Sequence, residues 1–143
     1  MQYFCPNCFE KVAPNTQACP SCGVDIPSFG KDMTYEARLI HALHHPIDET
    51  RMGAIIALGQ RHTVHAAVPL ADLAFRWPKD VWQALEIIRA LHKMPIVAEV
   101  ESALIRLATE HPARPVRTTA DHVREEMFVH GTRHPPIVHQ PAA

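Results

Sequence analysis

Between residues 34 and 128 the apolar residues recur at helical spacing in six successive stretches, and prolines fall repeatedly where one stretch gives way to the next. The first begins near Thr34, carries Leu39, Ile40, Ala42 and Leu43, and is broken at His45-Pro46, because the residue before a proline is pushed out of the helical region. Asp48 can cap a second helix bearing Met52, Ala54, Ile55 and Leu58, with Gly59 suited to its end. A third runs from Ala66 to Arg76. Pro78, Pro95 and Pro112 or Pro115 then open three more. Proline costs little in a first helical turn, where its missing N–H has no helical partner anyway. Superposing the second helix of each pair brings Arg51, Ala84 and Arg117 together at a spacing of 33 residues. Two helices per unit at such a period is the signature of stacked repeats, since one pair cannot bury its apolar stripe alone.

The four cysteines all lie ahead of this region, as Cys5-Pro6-Asn7-Cys8 and Cys19-Pro20-Ser21-Cys22-Gly23. Two residues between thiolates let a tight turn aim both sulfurs at one ion, and two such turns supply a closed tetrahedral set. Cys5, Cys8, Cys19 and Cys22 are therefore expected to hold one structural zinc ion per chain. Disulfides would suit an exported protein, but MQYFCPNC has none of the charged and apolar character of an export signal. Four thiolates leave no open position for a catalytic water. About 25 residues cannot form a stable core alone, so the metal should supply folding free energy on the order of 10 kcal/mol. Tyr3, Phe4, Val12 and Ala18 are expected to surround the site as short strands.

The stretch around residues 3–26 resembles the short zinc ribbons of bacterial N-termini with their CPxCG knuckles, departing from them at Phe9, where many members carry glycine. The first helix pair resembles the short HEAT-like repeats named after phycobilisome lyases. Pro46-Ile47-Asp48 followed by Arg51, Ala54, Ala57, Leu58 and Gly59 carries that likeness. The resemblance implies an aspartate–arginine ladder between turns, matched by Asp48 and Arg51 and in part by Asp80 and Arg117. It also implies an all-α fold: a short right-handed α-solenoid of about three HEAT-like helix pairs, preceded by a small zinc ribbon. The expected divisions are a ribbon over 1–27, a linker over 28–33, repeats over 34–128 and a flexible tail over 129–143.

In HEAT-like stacks the second helices line the concave, binding side. The rows there would be Glu49, Trp82 and Pro115; Gly53, Glu86 and Thr119; and Ile56, Arg89 and His122. Trp82, Glu49, Glu86, Arg89, Ile56 and His122 are thus the candidate partner-binding residues, with Trp82 as the anchor. Eleven histidines crowd the chain, five of them between His41 and His65, and they are expected to be solvated surface groups. No nucleophile–base constellation can be drawn. Net charge is −1 and evenly spread, which argues against nucleic acid as a partner. No apolar run is long enough to enter a membrane. The expected function is a cytoplasmic, non-catalytic adaptor or accessory subunit that binds a protein. A bilin lyase-like enzyme and a nucleic-acid-binding HEAT-like protein are the alternatives.

Overall fold

The computed structural model describes residues 2–130. The expected tail therefore lies outside the described residues from position 131 onward. Two short antiparallel strands, β1 (Tyr3–Phe4) and β2 (Lys11–Val12), pair Tyr3 with Val12 and Phe4 with Lys11. A bridge between Ala18 and Asp25 closes the second knuckle. The strands stand where the sequence suggests, but Tyr3 and Ala18 are exposed and build no core.

Six packed helices follow: α1 (Tyr35–Ala42), α2 (Asp48–Gln60), α3 (Ala67–Arg76), α4 (Val81–His92), α5 (Ala98–Glu110) and α6 (Arg114–Arg124). A π-type turn over Glu125–His130 extends the last of them. Thr34 caps α1 by accepting the Ala37 N–H at 3.1 Å, and Asp80 caps α4 by accepting from Gln83 N at 3.0 Å. Asp48 is not the cap of α2. It is the first helical residue, behind Ile47, and its carboxylate accepts from the adjacent Glu49 N. Pro78 and Pro95 stand just ahead of their helices, while Pro115 lies inside the first turn of α6.

Each even-numbered helix packs on the next, α2 on α4 and α4 on α6, while α3 packs on α5. The core runs continuously between these elements through Leu43, Ile55, Leu58, Leu70, Leu73, Ile87, Ile88, Leu91, Leu104 and Leu107, all essentially inaccessible. Each such side chain contributes about 1.5–3 kcal/mol on burial. The helix α2 ends near Gly59 as expected, at Gln60, but the glycine is not its cap. It is buried within the helix, and a Cβ there would stand 2.8 Å from the Ala90 Cα of α4. Only a glycine allows that approach. The chain turns instead at His62, whose φ is 54°.

The turns ahead of the even helices share a plan at a register that equal spacing misses. Arg51 Nη1 donates to the carbonyls of His45 and Pro46, each at 2.9 Å. Arg117 Nη1 repeats this on His111 and Pro112 at 2.8 and 2.9 Å. In both turns the histidine Nδ1 accepts the N–H two residues on, at 3.1 Å. The middle turn reads Trp77-Pro78 and ends on Gln83, one residue before Ala84. Gln83 receives the Arg51 Nε–H at 2.7 Å, while Ala84 is simply buried. The aspartate–arginine ladder is thus not formed as ion pairs among the described residues. These arginines satisfy carbonyls of their own turns, which would otherwise lack donors. Asp48 and Asp80 act on Arg51 only through their field.

Candidate metal centre and exposed helix face

The two CPxC turns bring Cys5, Cys8, Cys19 and Cys22 together, with all four sulfurs within 4.8 Å of one another. Cys5 Sγ lies 3.7 Å from Cys22 Sγ, and Cys8 Sγ 3.7 Å from Cys19 Sγ. Those separations are too long for disulfides. They match the edge of about 3.8 Å that a tetrahedron with metal–sulfur bonds of about 2.3 Å requires. The set therefore fits a single four-coordinate metal ion.

The surrounding groups favour thiolates at Cys22 and Cys19. The Asn7 side-chain amide, 3.5 Å from Cys22 Sγ, and the Val24 backbone N–H pull the Cys22 thiol down to about 6. The backbone N–H groups of Cys22 and Ser21 lower Cys19 as well, the latter at 3.4 Å. At Cys8 the Glu10 N–H also lowers the pKa, but burial and proton sharing with Cys19, Cys22 and Cys5 outweigh it and push Cys8 up to about 12. Without metal, the cluster keeps a proton that a cation would displace.

Phe9 explains its departure from glycine. Its φ is 63°, in the left-handed region, which costs a non-glycine residue about 1 kcal/mol. In return its ring packs 5.0 Å from His41 and 4.9 Å from His45, centroid to centroid. Phe4 adds an edge contact to His45 at 5.3 Å, Phe29 meets His41 at 5.5 Å, and His41 Nε2 sits 2.9 Å from the Pro6 carbonyl. These contacts seat the cysteine module on α1. His41 and His45 are therefore half-buried contact groups rather than freely solvated ones, His44, His62 and His65 are exposed as the sequence suggested, and His111 is buried outright. The cysteines form the one cluster of three or more potential metal ligands among the described residues, and no histidine joins it.

The six residues expected to meet a partner fall into two groups. Trp82 is 81 % exposed on α4, which rules out a role as core filler. With Glu49 it lines a cleft of about 270 Å³ between the starts of α2 and α4, together with Asp48, Met52, Asp80 and Gln83. Glu86 and Arg89 pair with each other at 3.0 Å further along α4. Ile56 and His122 are exposed on α2 and α6 and do not line that cleft. Gln83 escaped the sequence reading. Its signal was the recurrence of aromatic-proline-x4-polar at residues 45–51, 77–83 and 111–117.

Scans against family models, curated proteins and solved structures find no match for the chain. No helix among the described residues is long and apolar enough to cross a membrane.

Proposed function

We propose that the chain is a non-catalytic adaptor, in which a zinc ribbon docks on a short HEAT-like stack whose even-numbered helices present the partner-binding face. Zinc is the metal best suited to four thiolates in a closed tetrahedron, since it needs no open position and no redox change. The right-handed solenoid reading rests on the succession of α2, α4 and α6 and on the recurring turns before them.

The observation that carries the docking role is Trp82. A tryptophan left 81 % exposed on a well-packed helix costs apolar hydration that burial under a partner would recover. A photo-crosslinking residue placed at Arg89 or His122 tests the face, with Ser102 on α5 as the control. Crosslinks to one protein from the first two positions and none from Ser102 are expected. Equal labelling from all three would dismiss the assignment. Native mass spectrometry should find one zinc per chain, and iron or a metal-free protein would overturn that part.

A further inference from the structure

The middle turn departs from its two neighbours at both of its conserved-in-plan positions, and the departures converge on the cleft beside Trp82. Where the flanking turns end on Arg51 and Arg117, this one ends on Gln83, which is 1 % exposed. The Gln83 oxygen is engaged by the Arg51 Nε–H at 2.7 Å, so its amide nitrogen is the group left over, and Nε2 has no hydrogen-bond partner. A buried donor without an acceptor costs about 1–3 kcal/mol. Gln83 lines the same cleft as three carboxylates, those of Asp48, Glu49 and Asp80. Asp48 and Asp80 each spend one oxygen on a backbone N–H, and none of the three forms an ion pair among the described residues. Arg51, close behind them, is turned into the turn carbonyls and stacked on Trp77, with its Cζ 4.1 Å from the ring centroid. The cleft thus offers three carboxylates outside any such pairing beside an exposed indole, a combination that suits a cation.

We propose that this cleft is the docking site for an extended basic segment of a partner protein. A lysine or arginine side chain lies over Trp82 among the three carboxylates. Cation–π attraction and carboxylate pairing act together on that one side chain. An acidic segment would meet like charge at the rim, and a purely apolar one would strand the carboxylates. This inference rests on the docking role proposed above and specifies the chemistry of the docked segment.

Random dodecapeptides displayed on phage and selected on the zinc-loaded full chain, then counter-selected on Trp82→Ala, test it directly. Because Trp82 is exposed, helical circular dichroism of that variant should be unchanged. Clones that depend on Trp82 are expected to be rich in lysine and arginine. Their synthetic peptides should bind at least about tenfold more weakly to Trp82→Ala and to the Asp48→Asn/Glu49→Gln double variant. Their affinity should also fall as salt is raised. Trp82-dependent clones that are acidic or uniformly apolar would overturn the basic-segment assignment and leave the docking face standing. An absence of Trp82-dependent clones would overturn the cleft itself, whereas the crosslinking from Arg89 and His122 judges the wider face independently.

Discussion

The cysteine module and the helical stack are held together by opposite means. The module has two strands of two residues each, and its buried apolar content is little beyond Cys5 and Cys19. The stack buries a continuous row of leucines, isoleucines and alanines and requires no ion. One region is therefore organised by a ligand set suited to a cation, the other by a packed core. Their contact is a small patch of aromatic and histidine rings, with Phe9 strained to reach it. The comparison teaches that loss of metal and loss of packing should be separable faults.

The largest expected effect is metal removal. A strong chelator, or Cys5→Ser with Cys19→Ser, should abolish order in the module, removing stabilisation on the order of 10 kcal/mol. Helical circular dichroism should stay near its starting value, and a cooperative loss of helix on chelation would break the comparison. Next comes Arg51→Ala, which strands two turn carbonyls and the Gln83 oxygen. It should cost about 3 kcal/mol in urea unfolding, against about 1 kcal/mol for the more exposed Arg117→Ala. Metal content should be unchanged in both. Gly59→Ala forces a methyl against the α4 backbone and should cost about 1–3 kcal/mol, again with the metal retained.

Phe9→Gly probes the junction. Relief of the left-handed strain offsets the lost ring contacts, so global stability should shift by no more than about 1 kcal/mol. The His41 and His45 ring resonances in NMR spectra should nevertheless move, and chelation should perturb α1 less than in the parent chain. The smallest effect concerns acid. Burial, then Arg51, lowers the His45 pKa, and burial, then Arg76, lowers that of His44. The unfolded chain therefore binds these protons more readily than the folded one. Stability contributed by the neutral rings is present above the ordinary histidine value of 6.5 and declines as pH falls below it. Thermal melts of the metal-free chain between about pH 7 and pH 5 should show a small loss of midpoint, reduced in His45→Gln.

Much of this architecture was legible in the chain itself. Helical periodicity and proline placement located six helices, and the paired C-x2-C spacings located the cysteine cluster, because both are local rules. Gly59 was rightly placed near the end of α2 but for the wrong reason, because a glycine's backbone freedom and its lack of bulk look identical in sequence. Ala84 was set opposite Arg51 because equal spacing was imposed, whereas the separation between successive turns varies and Gln83 holds the bond. His41 and His45 looked like their exposed neighbours because nothing nearby in sequence announced Phe4, Phe9 and Phe29.

By itself, then, the sequence determined which segments are helical and which four side chains can share a metal, since spacing along the backbone dictates both. Only the tertiary structure decided that Phe9 accepts backbone strain to seat the module on α1. It alone revealed that Gln83, bonded to Arg51, sits where three carboxylates meet an exposed tryptophan. Those features arise between residues some 30 positions apart, where packing, rather than local periodicity, chooses the neighbour.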